Sequence, residues 1–190
     1  MAARPTLTPP PAQQSPYHGR RMTEAEYLSL PEEKPYLEYV DGVVLQKPMT
    51  NAAHGRLVGF IDFAFGLYMR SHGGDYGPER RVYLADGSGY RLPDTSYWAP
   101  GRPSGDDSIP TLAVEVRSPD QTMDEQRQKC RAFRRNGVGV CWLIDPESRT
   151  VEVFEGGTER HASNQDEILT SPLLPGFELP LKDLFATLDR

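Results

Sequence analysis

The chain has 190 residues, enough for one domain with a sizeable buried core and too few for two ordinary ones. Its 21 Lys and Arg stand against 27 Asp and Glu, a net charge of −6 that excludes coating nucleic acid by bulk charge, so any contact with DNA must be local. Two cysteines, Cys130 and Cys141, lack CxxC or Cys/His zinc spacing, and no apolar run approaches the roughly 20 residues that span a bilayer; a soluble protein of the reduced cytoplasm is expected, with neither a membrane nor an organic cofactor as partner.

Residues 1–21, MAARPTLTPPPAQQSPYHGRR, are Pro-rich, polar and unpatterned, and are expected to form a disordered tail ahead of a single domain over 22–190. Thr23 with Glu26 is a capping-box pattern that opens a short helix through Tyr27 and Leu28, closed by Pro31. In YLEYVDGVVLQ, Asp41-Gly42 between apolar residues predicts a two-residue turn and hence an N-terminal β-hairpin. From Asn51 to about His72, Leu57, Ile61, Phe65 and Tyr68 recur at helical spacing until Gly73-Gly74, which predicts a long helix packed on a sheet. Strands are expected over 80–84, 92–98, 112–116, 140–144 and 151–154. Strands 112–116 and 140–144 are short, apolar and separated by a helical segment, the pattern of a βαβ unit with parallel strands. The helix between them opens on a capping box, Thr122 with Glu125, and ends at Asn136-Gly137; a last short helix is expected over 181–188. The fold class is therefore α/β (α+β), a mixed central sheet flanked by helices.

Asp94, after Leu92-Pro93, and Glu115, inside Val114-Glu115-Val116, each put a carboxylate into an apolar strand. A carboxylate there is costly to bury unless a positive charge meets it, so two on neighbouring strands invite a shared cation, Mg²⁺ (or Mn²⁺) being the hard ion that suits them. Taken singly, each has a plain alternative: Asp94 as a strand-end cap, Glu115 as an edge charge. Arg117, two residues beyond Glu115, is expected on the same face of the strand. On the following helix Arg127, Arg131 and Arg134 share one side, either a solvated face or a DNA-backbone stripe, whereas Lys129 lies beside Phe133 toward the apolar side. Lys129 either reaches the carboxylates, where it could stabilise phosphate charge, or packs its stem on Phe133. Glu38 is a third acid for the metal site or a solvent-facing strand residue, and His54 a site residue or a surface histidine at a helix start. The tyrosines and Trp98 are candidates for substrate or partner contact, with a core position as the alternative for Trp98.

Pro93-Asp94 followed by Glu115-x-Arg117 resembles the proline-aspartate, acid-x-lysine signature of the restriction-endonuclease-like superfamily. LEYVDGVVL, His54 at a helix head, RLPDTSYW, LAVEVRSPDQT, Lys129 eight residues before Gly137-Val138, VCWLIDPESRTVEVF and SPLLPGFELPLKDLF together resemble the Uma-two family of predicted bacterial endonucleases over residues 22–185. The resemblance implies the restriction-endonuclease-like fold, a divalent-metal site of Asp94 and Glu115 with Glu38 as candidate third ligand, DNA as substrate and a homodimer. It departs at position 117, where Arg cannot act as a base, and the resemblance gives the lysine's role to Lys129. The activity implied is metal-dependent hydrolysis of DNA phosphodiester bonds. The alternatives are a nuclease-fold module that binds DNA or a protein without turnover, and a structural domain whose acids cap strands.

Overall fold

The computed structural model describes residues 14–162 and 166–189. Asp41 and Gly42 take the positive φ values, 50° and 80°, that a tight hairpin turn demands, and β1 (Leu37–Val40) pairs antiparallel with β2 (Val43–Gln46). With β4 (Val82–Leu84) and β5 (Gly89–Arg91) they form a four-stranded sheet in the order β2-β1-β5-β4. The expected tail is corrected in part. Its first thirteen residues lie outside the described ones, but residues 14–21 cover the free edge of β2: Gly19 donates to the Val44 carbonyl at 2.8 Å, and Val44 donates to Arg20 at 2.9 Å.

The main sheet has six strands in the order β10-β9-β8-β7-β6-β3. Its members are β3 (Asp75–Pro78), β6 (Thr95–Trp98), β7 (Leu112–Val116), β8 (Val140–Asp145), β9 (Thr150–Glu155) and β10 (Thr158–Ala162). β7 and β8 run parallel across the connecting helix α3 (Met123–Arg135), and the other pairs are antiparallel, so the sheet is mixed as the βαβ pattern predicts. Two of its strands gave no sequence signal. β3 carries Gly77 and Pro78, tolerable because it is an edge strand, and β10 is exposed along most of its length and so lacks an apolar alternation.

α2 (Ala52–His72) covers one face of this sheet with Leu57, Ile61, Phe65 and Tyr68, joined by the hairpin β11 (Ile168–Ser171) and β12 (Leu174–Pro180) and by α4 (Leu181–Ala186). α3 covers the other face with Cys130 and Phe133. α1 (Glu24–Leu28) and α3 both start on the predicted capping boxes, Thr23 with Glu26 and Thr122 with Glu125. The strand expected over 92–98 is shorter: residues 92–94 form the crossing from the four-stranded to the six-stranded sheet, and β6 begins at Thr95.

Candidate active site

The crossing segment organises the site, because chain that leaves one ladder before joining the next has backbone groups to spare. Leu92 donates its N–H to Glu38 Oε1 at 2.9 Å. Its carbonyl accepts from two lysines, Lys47 at 3.0 Å and Lys129 at 3.1 Å. Asp94 donates its N–H to the Val114 carbonyl at 3.0 Å, continuing the register that pairs Thr95 with Val114 and so placing Asp94 opposite Glu115. Glu115 faces α3 by simple alternation, since Leu112, Val114 and Val116 face α2.

Six ionisable side chains from five parts of the fold converge here, all buried: Glu38, Lys47, His54, Asp94, Glu115 and Lys129. Asp94 Oδ2 accepts from the Val116 N–H at 2.7 Å and lies 3.0 Å from His54 Nε2, while Oδ1 accepts from Lys47 at 2.9 Å. Lys129 Nζ lies 2.7 Å from Glu38 Oε1 and 3.0 Å from Glu115 Oε1. Both are charge contacts, the ammonium's hydrogen bond going to the Leu92 carbonyl, and Glu115 Oε1 is buried without a hydrogen bond. The Lys129 stem also passes Phe133, its Nζ 5.8 Å from the ring centre, so this lysine packs on the aromatic ring and reaches the carboxylates at once. The group lines a cavity of about 470 Å³, into which Gln126 also brings a buried carbonyl oxygen without a partner. A cavity of similar size, about 490 Å³, lies under α1 between Tyr27, Tyr36 and Arg81; its charged lining, which includes Glu32, Glu79, Arg80 and Asp106, is exposed or half-buried rather than buried.

These surroundings drive the two central carboxyls apart. Burial opposes ionisation of Asp94, but Lys47, His54 and Lys129 outweigh it and hold its carboxyl well below the usual range. Burial also dominates at Glu115, where Asp94 and Glu38 add repulsion that Lys129 and Lys47 only partly offset, and its carboxyl is pushed up to about 7. Glu38 is held low by Lys129, Arg91 and Lys47 against its burial. Both lysines are held above their ordinary value: burial works against the charge and the surrounding carboxylates prevail.

Asp94, Glu115, Lys129, Glu38 and His54 are thus brought together. Arg117 is not, and its expected place beside Glu115 needs correction. β7 ends at Val116, and the Arg117 guanidinium pairs instead with Asp145 at the end of β8, at 2.8 Å, and with Glu147 in the turn beyond, at 2.7 Å. The three arginines expected on one side of α3 are also spoken for: Arg127 binds Glu152 and Asp124, Arg131 binds Glu159, and Arg134 donates to the Val138 and Gly139 carbonyls. Trp98 is buried under the Arg80 guanidinium, 4.1 Å from its ring centre.

Sequence reasoning missed Lys47. The signal was present in the hairpin, whose turn pairs Val40 with Val43 and hence Glu38 with Leu45; Lys47, two residues on, shares the face of Leu45 and Glu38.

Asp94 and Glu115 suit a hard divalent ion that keeps several waters, since both are oxygen donors and Glu115 offers a buried oxygen with no hydrogen bond. Among the described residues no group of three or more His, Cys, Asp or Glu side chains is arranged to hold a metal. Glu38 is the partner of Lys129 and of the Leu92 N–H.

The Uma2 family model, described as "Putative restriction endonuclease", matches residues 24–182. A crystal structure described as a "putative nuclease belonging to DUF820" from Anabaena variabilis superposes with a TM-score of 0.77 and 25% identity, covering 88% of this chain and 99% of that one. A cryo-EM structure of a DrdV–DNA complex gives a TM-score of 0.35 and 16% identity over 58% of this chain and 82% of that one. No curated protein matches the sequence. No described helix is long and apolar enough to cross a membrane.

Proposed function

We propose, from the premise that this chain belongs to the Uma2 family, that it hydrolyses DNA phosphodiester bonds with a divalent ion, Mg²⁺ or Mn²⁺, held by Asp94 and Glu115. The observation that carries this reading is the buried meeting of those two carboxylates with the Lys129 ammonium in one cavity. When bound, the ion supplies positive charge to a phosphate oxygen and makes water in its shell more acidic. Lys129 donates to the phosphate as negative charge builds on it; Glu38 and the Leu92 carbonyl hold that ammonium in place, so little reorganisation is needed in the transition state. The Val116 N–H and His54 fix the Asp94 carboxylate, which keeps its geometry when substrate enters. Arg117, tied to Asp145 and Glu147, has no part in this reading. A homodimer, which would cut both strands of a duplex, and a reduced cytoplasmic setting, compatible with two free buried cysteines, belong to the same proposal.

The test is cleavage of supercoiled plasmid and of single-stranded DNA in Mg²⁺ or Mn²⁺, beside EDTA controls. Asp94→Ala is expected to abolish cutting, and Lys129→Ala to slow it by about 100- to 1000-fold. Absence of cutting on every substrate, together with equal metal binding by wild type and Asp94→Ala, would overturn the reading. It would leave a nuclease-fold module that binds DNA or protein without turnover, a reading favoured by one observation: each carboxylate already has an ammonium from its own chain.

A further inference from the structure

Lys47 is the cation on Asp94, and the family resemblance assigns it no role. It is buried, with its Nζ 2.9 Å from Asp94 Oδ1, 3.0 Å from the Leu92 carbonyl and 3.6 Å from Glu79 Oε1. The oxygen it holds matters. Asp94 Oδ2 already accepts from the Val116 N–H and lies within hydrogen-bond reach of His54, so Oδ1 is the oxygen left to take a further cation. The contacts of Lys129 are with Glu115, Glu38 and Leu92, so the two lysines are not redundant: each covers a different carboxylate, and they share only the Leu92 carbonyl.

We propose that Lys47 is a tethered counter-ion of Asp94, a positioning residue that occupies Oδ1 and that a divalent ion must displace, with Glu79 as the second seat to which the displaced ammonium moves. Glu79 is suited to that part. It is partly exposed, its backbone N–H donates to the Asp94 carbonyl at 3.3 Å, and it lines the neighbouring cavity rather than the one around Asp94 and Glu115, so an ammonium that moves to it leaves the site. The inference rests on the two-carboxylate metal reading above.

Two effects of opposite sign follow. Without Lys47 the site keeps three carboxylates against Lys129 and the more distant Arg91, 3.6 Å from Glu38, so the protein loses stability in EDTA while its attraction for a dication grows. A lysine serving only to hold the fold would give the first effect and not the second.

The experiment titrates metal-stripped protein with Mg²⁺ alone, and separately Mn²⁺ alone, by calorimetry, with melting temperatures taken in EDTA and in Mg²⁺. Lys47→Met is expected to bind the ion about tenfold more tightly than wild type, and to melt lower in EDTA with a larger gain on adding Mg²⁺. Lys47→Arg keeps the charge and is expected to bind no more tightly than wild type, which preserves the test if Lys47→Met does not fold without metal. Glu79→Gln removes the second seat and is expected to weaken binding about threefold. Equal affinities for wild type and Lys47→Met, both lost in Asp94→Asn, would overturn the counter-ion proposal and leave the metal site standing; tighter binding by Lys47→Arg would overturn it too. Binding by neither wild type nor folded Lys47→Met would overturn the metal reading itself, and this inference with it.

Discussion

The two faces of the six-stranded sheet are built from the same strands and do opposite work. Along β7 and β8, Leu112, Val114, Val116, Val140, Trp142 and Ile144 turn toward α2, where they join Phe65, Phe177 and Phe185 in a large dry core. The intervening residues, Ala113, Glu115, Cys141 and Leu143, turn toward α3, where the apolar cluster is smaller and stops at Glu115 and Lys129. A sheet can bury a charge cluster on one face because the other face carries the hydrophobic stabilisation. Period-two alternation lets five consecutive residues of β7 serve both.

The comparison can be broken most strongly on the dry face. Trp142→Ala is expected to cost about 4 kcal/mol in urea denaturation, while the metal affinity of the folded fraction stays unchanged. On the polar face, Lys129→Met leaves Glu38 and Glu115 buried without their shared ammonium, and a loss of about 3 kcal/mol is expected in EDTA, part of it recovered in Mg²⁺.

A pH series sharpens the contrast further. Glu115 holds a proton in the folded protein up to about 7 against an ordinary value of 4.5, so between these pH values the folded chain binds a proton that the unfolded chain has released. This contribution to stability is complete below pH 4.5 and is lost as pH rises through about 7. Glu115→Gln is expected to remove that slope, and at pH 8 in EDTA to exceed wild type by on the order of 1 to 3 kcal/mol; identical slopes for the two proteins would assign the titration elsewhere. Asp94 and Glu38 are shifted the other way, and their contributions vanish only as pH falls below the ordinary carboxylate range. The smallest effect is expected outside both faces' interiors: Arg131→Ala breaks a half-exposed pair with Glu159 and should change stability by less than about 0.5 kcal/mol, with no change in DNA affinity by fluorescence anisotropy.

Much of this arrangement is legible in the chain. The capping boxes, the Asp41-Gly42 turn and the apolar spacing of α2 are local signals, and local geometry decides them. Asp94 and Glu115 stand out because each interrupts an apolar stretch, and Lys129 because it breaks the polarity of its helix. β3, β5 and β10 to β12 are illegible for a shared reason: they are short, lie at edges or carry Gly and Pro, so their pairing comes from neighbours rather than from their own pattern. Residues 14–21 read as tail because their partner, the bare edge of β2, is not visible in their own composition.

The partners of the charges could not be read the same way. Alternation assigns a side chain to a face, but a lysine or arginine head lies several bonds from its backbone and settles on whichever carboxylate the packed elements bring within about 3 Å. Arg117 therefore pairs with Asp145, and Lys47 with an aspartate 47 residues away. The amino-acid sequence by itself determined the turns, the helix starts, the parallel βαβ unit and which apolar segments carry an acid, since these depend on local conformation and periodicity. Only the tertiary structure decided which ammonium answers which carboxylate, since ion pairing depends on distances between atoms that no local rule relates.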